Sequence, residues 1–279
     1  MIKNTFSHIK GVGEKAEKLL WDHNIHSWDD FLNADTHPVS PAKVTHISEN
    51  LTLSKKAIQE KDHAYFSKQM VSKNHWRLFN EFKDSAAFID IETTGLDKRY
   101  SKITTIVLYD GKNIKHFVSG INLFDFAPEA NKYKLFISYN GKTFDIPFLE
   151  YFLNRKFTQS HIDLRYVLKG LGFQGGLKSC EKQFGLSRNE LDGVDGYLAV
   201  WLWMEYKKRK NENALETLLA YNTEDVINLE FLMHKAYNLQ LEKTPFSQTH
   251  ILPIPPRPKV PFKADTELVK KIIQRIYQY

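Results

Sequence analysis

Phe88-Ile89-Asp90-Ile91-Glu92-Thr93-Thr94-Gly95-Leu96 continues a short apolar run that begins at Ala86 and reads as a buried strand. Two acids interrupt the run at i and i+2. Side chains alternate along a strand, so Asp90 and Glu92 face the same side of the sheet. A pair of carboxylates on a buried face is costly unless something neutralises it. A divalent metal taking oxygen ligands does so directly. Thr93-Thr94-Gly95 then turns the chain at the strand end, where a ligand can reach the backbone.

Asp-x-Glu alone decides nothing, because about one such tripeptide is expected by chance in a chain of this size. The chance case is present as Asp265-Thr266-Glu267. There the acids open a helical stretch and favour its dipole. The Asp90/Glu92 reading therefore depends on further acids that complete a site.

The 279 residues suffice for one or two domains with a good core, and 42% hydrophobic content makes the chain globular rather than disordered. Cys180 is the sole cysteine, which excludes an internal disulfide and a thiolate zinc site. With no apolar leader after Met1 and no apolar run longer than about Leu198–Met204, a cytoplasmic protein without membrane contact is expected. The formal charge is +6. Residues 85–238 carry 20 basic and 19 acidic side chains, so a middle region whose acids hold metal becomes effectively basic and suits a polyanion. Residues 239–279 carry 7 basic and 3 acidic side chains.

Phe6 to Leu20 contains Lys10-Gly11-Val12-Gly13-Glu14-Lys15, followed at once by a helical pattern. Two glycines allow a tight hairpin whose amides sit at a helix N-terminus, an arrangement that attracts phosphate. This resembles the helix-hairpin-helix of sequence-independent DNA-binding proteins, with Lys10, Gly11, Val12, Gly13 and Lys15 as the implied DNA-contacting hairpin. Residues 33–57 are polar, contain Pro38 and Pro41, and read as a connection. Leu53 to Phe82 reads as helical.

From Ala86 the pattern becomes α/β. Strands are expected at Ile103–Tyr109, Lys112–Val118, Leu135–Tyr139 and Ile162–Leu164, with Asp110-Gly111 as a hairpin turn. Helices are expected at Phe144–Phe152, Leu177–Phe184, Gly196–Lys210 and Ala214–Tyr237. Antiparallel strands followed by strand–helix alternation predict a ribonuclease-H-like mixed sheet flanked by helices, preceded by a small helical domain. The division is 1–82 for the helical region, 83–240 for the sheet domain, and 241–279 for a proline-rich linker and C-terminal helix. Leu268, Ile272, Ile273 and Ile276 make an apolar stripe on that helix that favours docking on the body.

Two further motifs carry acids. Asn140-Gly141-Lys142-Thr143-Phe144-Asp145 puts Asp145 at the start of a helix, where it also favours the dipole. Tyr221-Asn222-Thr223-Glu224-Asp225 lies inside the last long helix, where positions i and i+4 share a face. The order Asp-x-Glu, Asn-x-x-x-Phe-Asp, Tyr-x-x-x-Asp resembles the DEDDy branch of 3′–5′ exonucleases across roughly residues 86–238. The sister branch carries histidine where this chain has Ala220. The hairpin followed by such a domain also resembles a group of bacterial exonuclease-like proteins.

The resemblance implies that Asp90, Glu92, Asp145 and Asp225 hold two divalent cations, Mg2+ or Mn2+, with Asp145 acting through water. Tyr221 orients the attacking water, and Asp90, Glu92, Asp145, Tyr221 and Asp225 form the catalytic set. It further implies that Thr93, Thr94, Gly95 and Leu96 cradle the 3′ nucleotide, with Asn140 as another substrate contact. The expected activity is two-metal hydrolysis of terminal phosphodiester bonds, with single-stranded DNA favoured over RNA. The alternatives are an RNA exonuclease, a structure-specific endonuclease, or a non-catalytic nucleic-acid-binding module on the same fold. His161 and Asp163 form a tempting metal pair, but Asp163 at a strand–helix junction reads as a cap. Gly175-Gly176-Leu177-Lys178 opens a helix, and a helix entry alone explains the glycines, although Lys178 can touch a phosphate there. The run Lys207–Lys210 reads equally well as nucleic-acid contact or as a favourable helix C-terminus.

Overall fold

The computed structural model describes residues 1–188 and 196–277. In the N-terminal segment, helices α1 (Glu14–Asp22), α2 (Trp28–Asn33), α3 (Pro41–Gln59), α4 (His63–Gln69) and α5 (Phe79–Phe82) precede the sheet. At the glycine pair Gly11 takes φ +84° and Gly13 is the N-cap of α1. A three-residue 3-10 turn, Ile2–Asn4, stands ahead of it. Val12 is buried while Lys10, Gly11, Gly13 and Lys15 are exposed.

Two sequence expectations in this segment are corrected. The polar stretch read as a connection carries most of α3. Pro41 sits in its first turn, where a missing N–H and a fixed φ are harmless. Only Ile47, Leu51, Ser54 and Ala57 are buried along it, so a narrow apolar stripe was hidden by a solvated majority. Conversely, the helix expected over Leu53–Phe82 is broken. Lys61 takes φ +52°, Asp62 caps α4 by accepting from the Tyr65 amide at 3.1 Å, and a 3-10 stretch at Ser72–Leu78 leads into α5.

Strands β1 (Ala86–Thr93), β2 (Ile103–Tyr109), β3 (Ile114–Val118), β4 (Leu135–Ser138) and β5 (Ser160–Asp163) form one sheet in the order β3-β2-β1-β4-β5. The β1–β2 and β2–β3 pairs are antiparallel, and the β1–β4 and β4–β5 pairs are parallel. This is the expected mixed α/β sheet, with β1 at its centre. At the β2–β3 turn Asp110 Oδ1 accepts from the amides of Lys112 and Asn113 at 3.0 and 2.7 Å, and Gly111 takes φ +86°.

The remaining helices are α6 (Phe126–Ala130), α7 (Asp145–Leu153), α8 (Leu164–Gly170), α9 (Leu177–Gln183), α10 (Gly196–Arg209), α11 (Glu212–Leu241) and α12 (Thr266–Tyr277). Alternation along β1 sorts the core. Ala87, Ile89 and Ile91 pack with Phe148 and Leu149 of α7 on one face. Phe88 on the other face joins Leu229, Leu232 and Met233 of α11. Asp90 and Glu92 belong to that second parity, so β1 aims them at α11. The same cluster takes in Phe6, Trp28, Phe66 and Trp76, so the N-terminal helices share a core with the sheet.

Leu268, Val269 and Ile272 of α12 pack against α10 and α11, the docking expected from the stripe. Asp265 accepts from the Leu268 amide at 2.9 Å, the helix-start role assigned to the chance Asp-x-Glu. The last two residues of the stretch read as this helix, Gln278 and Tyr279, lie outside the described residues. No helix among the described residues is long and apolar enough to cross a membrane.

Candidate active site

Three carboxylates meet where β1 faces α11. Asp90, Glu92 and Asp225 each place one oxygen so that all three lie within 4.8 Å of one another. Asp90 keeps a partly exposed edge, whereas Glu92 and Asp225 are buried. Tyr221, one helical turn before Asp225, is only 4% exposed. Between them in the helix, fully buried Asn222 ties α11 to the sheet. Its Oδ1 accepts from Thr105 Oγ1 on β2 at 3.0 Å and its Nδ2 donates to Asp90 Oδ2 at 2.6 Å.

Asp145 stands beside this group, outside the triad spacing. Pairing of β1 with β4 ends at Phe88, and farther along Asp145 Oδ1 accepts from the Ile91 amide at 3.2 Å. The turn that delivers Asp145 is held by Asp163. Its carboxylate accepts from the amides of Asn140 at 2.8 Å, Lys142 at 3.1 Å and Arg165 at 3.0 Å. Asp163 thus caps α8 and fixes the loop, the role favoured over a metal pair with His161. His161 Nε2 bonds instead with Ser138 Oγ at 2.8 Å.

Loss of solvent around the cluster, then mutual repulsion, pushes Asp90 and Glu92 well above the ordinary carboxylate range. Burial pushes Asp145 up to about 7, against the opposing pull of its backbone hydrogen bonds. Burial also raises Asp225, which Arg188 partly offsets. Burial and the neighbouring carboxylates raise the Tyr221 phenol, so it stays neutral. Such a crowded set of hard oxygen donors fits a divalent cation far better than it fits a soft metal.

Two cations flank the site. The Arg188 side chain pairs with Asp225 and lies 5.6 Å from the Tyr221 ring. Glu181 of α9 clamps it, accepting at Oε2 from Nε at 2.7 Å and at Oε1 from Nη2 at 2.6 Å. Asn228 Nδ2 donates to the same Glu181 at 2.8 Å. Lys178 Nζ stands 4.9 Å from the centre of the Tyr221 ring. Sequence reasoning weighed Lys178 but missed Arg188 and Asn222. Arg188 follows a short helix with no motif around it. Asn222 sits inside a quoted motif, and its position one residue from Tyr221 was the available signal.

The other expected contacts are placed as follows. Thr93 Oγ1 donates to the Gly95 carbonyl at 2.6 Å, and Thr94 Oγ1 accepts from the Lys102 amide at 2.9 Å. These bonds shape the turn after β1, where the register slips between Glu92 and Thr93. Leu96 at the turn tip is 86% exposed. The Asn140 carboxamide is held by Arg165 and by Thr143 Oγ1, the latter at 2.7 Å. The N-terminal hairpin is tied to α3, where His46 Nε2 donates to the Lys10 carbonyl at 3.0 Å.

A family model of the RNase_H superfamily matches residues 87–237, more than half of the chain. No curated protein matches it. Among solved structures the chain is similar to the family B DNA polymerase of the hyperthermophilic archaeon Pyrobaculum calidifontis, at 15% identity and a TM-score of 0.42, covering 60% of this chain and 27% of that one. It is also similar to the apo form of a nuclease, at 18% identity and a TM-score of 0.40, covering 70% and 84%. Brucella melitensis NrnC with bound Mg2+ gives 15% identity and a TM-score of 0.32, covering 63% and 93%. The chain thus spans about a quarter of the polymerase's length.

Proposed function

The chain belongs to the RNase_H superfamily, and from that premise we propose that it is a metal-dependent 3′–5′ exonuclease acting on single-stranded nucleic acid, DNA before RNA. Superfamily membership together with the buried acidic triad supports a hydrolase of nucleic acid. The observation that carries the finer reading is the convergence of Asp90 and Glu92 from β1 with Asp225 from α11, with Tyr221 one turn away.

Asp90, Glu92 and Asp225 would hold the divalent cation, Mg2+ or Mn2+, and Asp145 would assist a second through water. Bound there, such ions offset the charge that builds on the attacking and leaving oxygens of a phosphoryl group. The residues of the chain supply the rest. Tyr221, kept neutral, offers its hydroxyl as a hydrogen-bonding partner that orients the attacking water. Asn222 and the Ile91 amide hold Asp90 and Asp145 in place before substrate arrives. The water oxygen bonds to the terminal phosphorus, the bond to the 3′ oxygen of the preceding nucleotide breaks, and that oxygen takes up a proton. A nucleoside 5′-monophosphate leaves. The turn from Thr93 to Leu96 would cradle the 3′ nucleotide, and the exposed Lys10–Lys15 hairpin would contact the DNA backbone elsewhere.

The test is cleavage of 5′-labelled single-stranded DNA and RNA of one sequence, with Mg2+, with Mn2+ and with chelator, beside Asp145→Ala and Asp225→Ala. The expected result is a metal-dependent ladder shortening from the 3′ end and absent in both variants. Equal activity in Asp225→Ala sinks the site assignment. Binding without cleavage would make the chain a nucleic-acid-binding module instead.

A further inference from the structure

The proline-rich stretch after Leu252 runs alongside α11 rather than hanging free as a linker. Arg257 pairs with Glu224, the neighbour of Asp225, and its Nη1 donates to Asn228 Oδ1 at 2.6 Å. Between this strap and α11 lies a cleft of about 580 Å³ whose lining includes Arg188, Lys259 and Lys263. Ala220 and the acids Glu216 and Glu224 supply the helix side, three positions on one face of α11. Both acids are engaged within the protein: Glu216 accepts from the Lys263 amide at 2.9 Å, and Glu224 is held by Arg257. Lys259 and Lys263 are exposed and form no ion pair among the described residues.

Arg188, part of the lining of the cleft, is 6% exposed. Glu181 and Asp225 use its Nε and Nη2, while Nη1 is buried with no hydrogen-bond partner among the described residues. A buried guanidinium donor left unused is costly, and a phosphate oxygen is the acceptor whose charge and geometry suit it best. A phosphate drawn to Arg188 would lie near Asp225 and Tyr221, and Lys259 and Lys263 line the same cleft.

We propose that the cleft between α11 and the C-terminal strap is a phosphate-binding track for the single strand, with Arg188 holding the phosphate nearest the acidic cluster and Lys259 and Lys263 the following ones. This rests on the nuclease reading above and adds to it the direction from which the strand enters. The strap is then a wall of the substrate channel.

Equilibrium binding of fluorescent single-stranded DNA and RNA is measured across a NaCl series, in chelator so that the strand stays intact. Three full-length proteins are compared: wild type, Lys259→Gln/Lys263→Gln, and a control, Lys208→Gln/Lys210→Gln, at the end of α10. Losing two phosphate contacts should flatten the slope of log K against log salt by about 1.4 and weaken binding at low salt by about tenfold or more, in the strap variant only. Arg188→Lys, which keeps a cation for Glu181 but loses the planar fork, should lower kcat/KM by about tenfold or more in the cleavage assay. A strap variant with wild-type affinity and slope overturns the track and leaves the nuclease reading standing. Equal loss in the strap and control variants overturns it as well, in favour of diffuse basic attraction. A wild type that binds neither strand overturns both readings together.

Discussion

Asn222 Nδ2 donates to Asp90 Oδ2 across 2.6 Å while Asn222 Oδ1 accepts from Thr105 Oγ1 at 3.0 Å, so one fully buried carboxamide joins α11, β1 and β2 at the acidic cluster. Replacing it with leucine removes both bonds, strands the Thr105 hydroxyl and frees Asp90 to turn. Buried polar groups left unmatched cost about 1–3 kcal/mol each. In the proposed function Asp90 is a metal ligand, and loss of a residue that orients such a ligand typically costs about 10–100-fold in activity or metal affinity. Asn222→Leu should therefore lose at least tenfold in cleavage rate while remaining folded. Rates within twofold of wild type, with an unchanged urea transition, would show that the contact positions nothing.

Gly141 makes the turn before Asp145 possible by leaving room for β4. A Cβ there would stand 2.1 Å from Ser138 Oγ, 2.8 Å from Ser138 Cβ and 3.2 Å from His161 Cε1. Ser138 is fully buried and bonded to His161, so it cannot swing away. Gly141→Ala should cost about 1–3 kcal/mol through overpacking and displace the Asn140–Asp145 turn, lowering activity with it. Thermal melting and cleavage measured on the same preparation check this. A melting point equal to wild type would mean that the turn yields freely.

What was legible in the sequence followed from period and spacing. Alternation along β1 put Asp90 and Glu92 on one face, and a one-turn offset put Tyr221 and Asp225 on another. The structure brings those two faces together, with one oxygen of each triad acid inside 4.8 Å. The alternation of strands and helices along the chain and the docking stripe of α12 were equally local signals. What was hidden depended on distant partners. Asn222 meets Thr105 across 117 positions, and Arg77 meets Glu17 across 60. Arg188 looks like any surface cation until folding sets it against Glu181 and Asp225. α3 escaped because its buried stripe is narrow.

Arg77 and Glu17 form a buried ion pair, with Nη1 2.8 Å from Oε1 and 2.9 Å from Oε2. Glu17 also accepts from the amides of Phe6 at 2.8 Å and Ser7 at 3.1 Å, so it anchors the approach to the hairpin. Removing one member leaves a charge without its partner, a loss of about 3–5 kcal/mol in comparable buried pairs. Arg77→Met should fall in that range by denaturant unfolding. Arg77→Met/Glu17→Gln should recover part of the loss, because no unpaired ion remains. A single variant costing under about 1 kcal/mol would contradict the burial seen here.

Two histidines that fold neutral each give the protein a share of stability that acid removes, opposite in sign to the raised carboxylates of the acidic cluster, whose protonation in the native state favours folding as pH falls. Burial between Trp28 and Phe66 pushes His8 down to about 3, with Arg77 adding to the shift, and burial likewise pushes His161 down to about 3. In the unfolded chain each titrates near 6.5. Below that pH the unfolded state binds protons that each native histidine refuses, so this contribution to stability falls from about pH 6.5 toward 3. At pH 5 each histidine costs about 2 kcal/mol relative to neutral pH. His8→Leu removes one of them, and Ser54, its partner at 2.8 Å, still donates to the Asn50 carbonyl at 2.7 Å. Urea unfolding at pH 7, 6 and 5 should show the variant losing about 2 kcal/mol less than wild type over that range. Parallel pH dependences would mean that His8 is protonated in the native state.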